Sequence, residues 1–341
     1  MKCLVIRFSS LGDVILTTPV VESLAAALPD AEIHYATAAR LATVVERFPH
    51  KVIIHQFAGR NREELLAYAQ GFSNERFDMV FDLHANWRSH MLAHRVDAAQ
   101  VYTYPKDFWR RWSMVYLKRG FDRGRPVVDR YLATIRAGDI PVVTTVPELQ
   151  GDPKKKRAAA DQLTRWGWSS DGITIGIGWG ARWPTKKVPT GLWNSLLEHL
   201  RSKINPTYIV FAESADKAEV GEFVAQNGPA NVFEFCGRQL DSVLGALSLC
   251  NIFVTSDSGL MHAAAALGVP TWGIFGPTHP ALGFAPVGAQ AEAVHSGLFC
   301  SPCSRHGKAP CYRKHRYCFE QIDVGLIAQQ IMSQLNEAST G

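Results

Sequence analysis

Short apolar runs recur through both halves of the chain, and a stretch with apolar residues at helical spacing follows most of them. In the first half the runs are Cys3–Ile6, Glu32–Ala36, Val52–His55 and Met79–Leu83. The helical stretches are Val14–Leu28, Arg40–Phe48, Asn61–Gly71 and Val127–Ala137. In the second half the runs are Ile173–Gly178, Tyr208–Phe211, Val232–Phe235, Ile252–Thr255 and Thr271–Phe275. Helical stretches fall at Leu192–Ile204, Asp216–Gln226, Leu240–Ser248 and Leu260–Leu267, and a last one, Val324–Leu335, closes the chain. Short continuous apolar runs suit strands buried on both faces, and their alternation with helices predicts parallel sheets covered on both sides. Two such halves predict two Rossmann-like domains, whose ligands bind at the carboxyl ends of the strands. The stretch Val142–Lys156, rich in Pro, Lys and polar residues, reads as the connection. We expect domains at 1–155 and 156–322, with residues 323–341 as a helix and tail packing back on the first domain.

The length of 341 residues agrees with two domains at roughly 150 residues each. With 47% apolar and 20% charged residues, the chain is neither disordered nor fibrous nor a coiled coil. Lys and Arg exceed Asp and Glu by 36 to 31, a net +5 that suits a phosphate-bearing substrate or an anionic membrane surface. That excess, with no stacking-sheet signature, gives no nucleic-acid footprint. The longest apolar stretch, Leu260–Phe275, is broken by His262, Gly268, Pro270 and Gly273 and is too short for a span. Arg7 and Asp13 interrupt the first apolar run too early for a signal peptide. With an odd count of seven cysteines, the expected location is the cytoplasm.

Two turns carry candidate chemistry. At Phe253–Pro270 an apolar strand ends in Asp257-Ser258-Gly259, and an Ala-rich helix starts at once. Ser258 suits a helix cap, Gly259 permits close approach, and the first-turn N–H groups of Gly259, Leu260 and Met261 favour a phosphate. His262 is a further donor, and Asp257 suits sugar hydroxyls better than a diphosphate. The same run also fits a plain capped turn. Gly273–Pro280 supplies a second Gly/Pro turn on the same edge. At the N-terminus, Ser9-Ser10-Leu11-Gly12-Asp13 joins the first strand to the first helix. Asp13 there is either a cap or a general base.

These runs together resemble glycosyltransferase family 9, the ADP-heptose:lipopolysaccharide heptosyltransferases. The match rests on Arg7–Val14, on Asp257–His262 with Ala264–Pro270, and on Phe275–Thr278. Weaker matches are Phe81–Leu83 with Arg88-Ser89, Asp129–Tyr131 and Cys236–Arg238. The resemblance implies a GT-B fold with a cleft between two Rossmann-like domains, the first for the acceptor and the second for the nucleotide sugar. It implies inversion without a catalytic metal, heptose passing from ADP-heptose to a lipopolysaccharide core or lipid A-linked acceptor. Asp13 takes the place of the catalytic Asp, with Ser10 and Gly12 beside it as nucleotide-sugar contacts. Lys186 takes that of the Lys that neutralises the diphosphate, with Lys187 and Arg182 as companions. Val188 stands where the family has an aromatic, and a solvated loop is the plain alternative for both lysines. Glu213 and Asp216 are both candidates for the ribose contact. Another sugar nucleotide, or a non-catalytic binding protein, is the alternative reading.

The stretch Thr103–Arg130 breaks the strand–helix rhythm. It interleaves Trp109, Trp112, Tyr116 and Phe121 with Lys106, Arg110, Arg111, Lys118, Arg119, Arg123 and Arg125. We expect an acceptor-binding surface from Arg88, Arg110, Arg111, Lys118 and Arg119, with the aromatics at the cytoplasmic face of the inner membrane; a solvated amphipathic insert is the alternative. Finally, Cys300, Cys303, Cys311 and Cys318 fall in a C-x2-C-x7-C-x6-C pattern with His306 and His315 inside it. That is the pattern of a structural zinc site, or of a reduced or disulfide-paired loop.

Overall fold

The computed structural model describes residues 1–121 and 124–340. Contacts divide the chain into two units, Met1–Asp107 with Arg125–Gln150, and Phe108–Gly124 with Gly151–Gly341.

The first unit is built on β1 (Lys2–Ile6), β2 (Glu32–Ala38), β3 (Ile53–Phe57), β4 (Arg76–Asp82) and β5 (Asp97–Thr103). All pair in parallel in the order β3-β2-β1-β4-β5. Cys3 to Ile6 are fully buried, as a central strand covered on both faces must be. The second unit holds β6 (Thr174–Gly178), β7 (Thr207–Ala212), β8 (Val232–Cys236), β9 (Ile252–Ser256), β10 (Thr271–Phe275) and β11 (Ala291–His295). These too are parallel, in the order β11-β10-β9-β6-β7-β8. Strand order reverses between β1 and β4 in one sheet and between β6 and β9 in the other. Those are the switch points where an open α/β sheet leaves a crevice for ligands.

Several expectations change. The edge strands β5 and β11 escape the sequence reading because most of their residues are exposed or half-buried, which removes the apolar-run signal. The helix expected over Val14–Leu28 is two, Leu11–Ile15 and Thr18–Ala27. Pro19 in the first turn of the second lacks the N–H that a continuous helix would donate to the Ile15 carbonyl, which instead accepts from Thr18 Oγ1 at 3.0 Å. The expected connection ends early, at a helix Pro153–Thr164 whose cap Asp152 accepts from Lys154 N at 2.8 Å.

Two assignments of chain to domain also change. The aromatic helix Phe108–Tyr116 belongs to the second unit, because Met114 and Val115 bury themselves with Leu282. Arg123 of the same stretch lies outside the described residues. The closing helix, Val324–Thr340, is likewise part of the second unit. Ile327 and Ile331, one turn apart, join Leu192, Leu196 and Leu200 of the helix Thr190–Arg201 in that unit's core. The apolar stripe expected to face the first domain is therefore buried in the second.

Candidate active site

In the first unit, β1 and β4 end side by side, with Ile6 opposite Asp82. Asp82 is fully buried and accepts from the N–H groups of His84 and Ala85 at 2.9 and 2.8 Å, which fixes the turn after β4. Ser10 occupies the N-cap of Leu11–Ile15 and Asp13 the third helical position. One oxygen of Asp13 accepts from Ser10 N at 3.0 Å and Ser10 Oγ at 2.6 Å, so Asp13 does support the helix start. The other oxygen meets Arg7 Nη2 at 2.7 Å and Tyr131 Oη at 2.9 Å. Arg7 also donates to the Leu83 carbonyl.

Burial opposes the charge on Asp13, but the Arg7 guanidinium and the hydrogen bonds from Ser10 and Tyr131 outweigh it and hold the carboxyl well below the usual range. Burial, with Arg7 nearby, pushes the His84 imidazole down to about 3, so it stays neutral. Phe8 joins this corner to a cavity, its ring 5.9 Å from His84 and 5.4 Å from Phe57. That cavity measures about 490 Å3 and is bordered by Phe57, Arg60, Glu64 and Tyr68. Arg88 reaches it, donating to the Arg60 carbonyl at 3.2 Å.

In the second unit, Gly178 lies beside Thr255 so closely that a Cβ there would overlap the Thr255 side chain. This close approach lets Ser256 Oγ donate to the Gly180 carbonyl at 3.2 Å across the switch point. Ser258 is the N-cap of Gly259–Ala266, in extended geometry. Its hydroxyl lies 3.2 Å from Thr255 Oγ1 and makes no cap bond, which leaves the first-turn amides pointing outward. Asp257 is buried; one of its oxygens accepts from Thr278 Oγ1 at 2.7 Å and pairs with Lys186 Nζ at 2.7 Å.

Lys187 pairs with buried Asp216 and lies 3.8 Å from Glu219, whereas Glu213 is exposed. Arg182 is exposed and stacks over Trp183, 5.7 Å from the ring centroid. Gly12, Met261 and His262 are buried. Val188, standing where the family has an aromatic, is buried in the second core.

The structure thus gathers Ser10 and Asp13 in one unit, and Lys186, Asp257, Ser258 and Gly259 in the other. It does not gather the expected acceptor surface. Lys118 donates to the Cys300 carbonyl at 3.0 Å and to that of Pro302. Arg111 is buried over the Phe284 ring at 5.4 Å, Arg110 is half-buried, and only Arg119 is fully exposed. A cationic residue count along the chain does not distinguish a charge facing solvent from one facing a carbonyl.

The sequence reading gave no role to Arg7, Tyr131, His84 or Thr278. Arg7 had a signal, since a guanidinium closing a buried strand needs an anion. Nothing in linear order connects residue 131 to residue 13.

Among the described residues, no group of three or more His, Cys, Asp or Glu side chains is arranged to hold a metal, and no helix is long and apolar enough to cross a membrane.

Two all-parallel sheets, each with polar residues at its switch point, make a GT-B-like protein. Solved structures with this fold include the glycosyl transferase family 9 protein of Veillonella parvula, with TM-score 0.78 at 24% identity over 98% of this chain and 97% of that one. Another is the ADP-heptose lps heptosyltransferase II of E. coli, with TM-score 0.75 at 22% identity over 99% and 100%. Lipopolysaccharide heptosyltransferase 1 of Pseudomonas aeruginosa is 25% identical over 373 aligned positions, 98% of each chain. Residues 65–312 match the family model of glycosyltransferase family 9 (heptosyltransferase), and the chain belongs to that family and is a glycosyltransferase.

Proposed function

We propose that this enzyme moves heptose from ADP-heptose to a lipopolysaccharide inner-core acceptor with inversion. Two relatives matched over 98–99% of this chain are named as lipopolysaccharide heptosyltransferases, one of them with ADP-heptose, which supports the reading. The observation that carries the mechanism is Asp13, an ionised carboxylate at the switch point of the first sheet with its second oxygen on Arg7 and Tyr131.

In the donor half, Lys186 leaves Asp257 for the diphosphate, and the amides of Gly259, Leu260 and Met261 take up phosphate oxygens. Asp257, still held by Thr278, then accepts from sugar hydroxyls. As the anomeric C–O bond breaks, the negative charge grows on ADP, where Lys186 and the helix N-terminus stabilise it. The acceptor hydroxyl forms the new C–O bond and gives its proton to Asp13. A carboxylate with so low a proton affinity is a weak base, so the proton moves late, when the hydroxyl has become strongly acidic. Exposed Glu213 holds the ribose, because Asp216 is engaged by Lys187. The cavity with Arg60 and Arg88 receives the anionic acceptor. No step calls for a metal. The exposed ring of Trp109, with Trp112 and Tyr116 on the same helical face, rests on the cytoplasmic face of the inner membrane.

The test is transfer from ADP-heptose to heptose-free core acceptor. Wild type should give product with inverted configuration. Asp13→Asn should lower kcat by ~10²–10⁴-fold with donor affinity little changed. Product from another sugar nucleotide alone removes the heptose assignment, and unchanged turnover in Asp13→Asn leaves that residue a helix support.

A further inference from the structure

The cysteine-rich loop has no part in the transfer reaction, yet it is tied to both sides of the donor site. Cys300, Cys303, Cys311 and Cys318 all border one small, partly open cavity of about 20 Å3, room for a single ion or water. All four are free thiols and half-buried. The loop turns tightly after Cys311, where Lys314 N donates to the Cys311 carbonyl at 3.1 Å and Lys314 and Arg316 sit at positive φ.

The same loop grips the turns at Pro277 and Lys186, through its backbone and through the Ser301 and Arg316 side chains. Ser301 Oγ donates to the carbonyls of Gly276 and Thr278 at 2.8 and 3.0 Å. Cys303 N and Ser304 N both donate to the Pro277 carbonyl at 3.1 Å. On the other side, Thr185 Oγ1 donates to the Gly307 carbonyl, and Arg316 donates to the carbonyls of Thr185, at 3.2 Å, and Lys187. Gly307 sits at φ +79 against the Lys186 stem, where a Cβ would lie 2.5 Å from Lys186 Cγ. The loop thus spans from Thr278, which holds Asp257, to the turn that carries Lys186.

We propose that the four cysteines bind one divalent transition-metal ion, zinc or ferrous iron, as a tetrathiolate site that fixes the Lys186 turn and the Thr278 turn relative to each other. Four sulfur donors and no nitrogen or oxygen ligand select a soft, tetrahedral ion. The four thiols border one cavity without standing in ligating geometry, so the loop must draw them together as the ion binds. No coordination position stays open, so the ion is structural. The metal assignment stands apart from the transferase reading; its effect on the donor site rests on the role given to Lys186.

The test begins with elemental analysis of the full chain purified under reducing conditions. Close to one zinc or iron per chain is expected, and the element found decides between them. The four loop thiols should resist modification until a chelator removes the ion, whereas Cys3 and Cys250 are protected by burial either way. Cobalt exchanged into the site should give the absorption bands of tetrahedral thiolate coordination. The Cys303→Ser/Cys311→Ser double variant should lose the metal. If it fails to fold, wild-type metal content and thiol protection still decide. Metal-free protein with all four thiols reactive, or with a disulfide among them, overturns the proposal. Lys186→Ala should keep the metal while losing transfer, so failure of the two readings is separable. Chelation should weaken ADP binding several-fold; unchanged ADP binding in the metal-depleted protein overturns the bracing role.

Discussion

Arg7 and Asp13 form a buried pair at 2.7 Å, and removing one charge strands the other in a poorly solvated corner. Arg7→Ala should therefore cost about 3–5 kcal/mol of stability, read as a lower urea midpoint. It should also raise the proton affinity of Asp13, since burial then acts with one opponent fewer. In wild type the depressed carboxyl is ionised at all but strongly acid pH. Its stabilising contribution is present above the unfolded value of ~3.9 and is lost only as pH falls through the lower folded value. The pH–rate profile of wild type should accordingly show no acid limb from Asp13 near pH 5, and Arg7→Ala should acquire one at higher pH. His84 acts in the same direction but over a higher pH window. Its folded value of about 3 lies below the unfolded ~6.5, so across that window the unfolded chain binds the extra proton and stability falls as pH is lowered. His279, pushed down by burial to about 4, adds to the same trend. His84→Gln should flatten the dependence of the unfolding midpoint on pH between about 6.5 and 3. None of these pairings is written in local sequence. Asp13 was legible as a polar residue at a strand–helix turn, but its partner Tyr131 lies 118 positions away.

The helix Phe108–Tyr116 separates packing from contact surface within nine residues. Met114 is fully buried against Leu282, and Met114→Ala should cost about 2–5 kcal/mol by leaving a void, measurable as a drop in the urea midpoint. On the other face Trp109 is 76% exposed, and Trp112 and Tyr116 line up with it, rings 6.3 and 5.2 Å apart in turn. A Trp109→Ala/Tyr116→Ala variant should unfold within about 0.5 kcal/mol of wild type, because it removes little buried surface. It should bind anionic vesicles several-fold more weakly in a flotation assay. Equal flotation removes the membrane contact from the functional reading. The sequence reading offered an amphipathic insert here only as an alternative. It did not announce which face would be buried, because three aromatics at helical spacing serve a core as well as a surface. Lys118 shows the same limit, since the carbonyls of Cys300 and Pro302 that capture it come from a loop far along the chain.

Across the whole molecule, each unit carries its own sheet and core, so unfolding should not be assumed to be a single transition. ADP contacts assigned here fall in the second unit alone. At 100 times its Kd, ADP should stabilise the transition of that unit by about 2.7 kcal/mol, and calorimetry with and without ADP reads the shift. A shift confined to the other transition would remove the donor site from the second sheet. The sequence by itself determined the two strand–helix series, the parallel sheets they form and the turns that carry Asp13 and Asp257. It could do so because apolar runs, helical periodicity and capping residues act over a few positions. The tertiary structure decided that Arg7 and Tyr131 share Asp13, that Lys186 rests on Asp257, that Met114 and Val115 bury themselves with Leu282, and that the closing helix joins the second core. Those outcomes depend on which buried charges and apolar faces find partners across long loops. That competition is settled by packing and desolvation in the folded chain, and no local pattern records it.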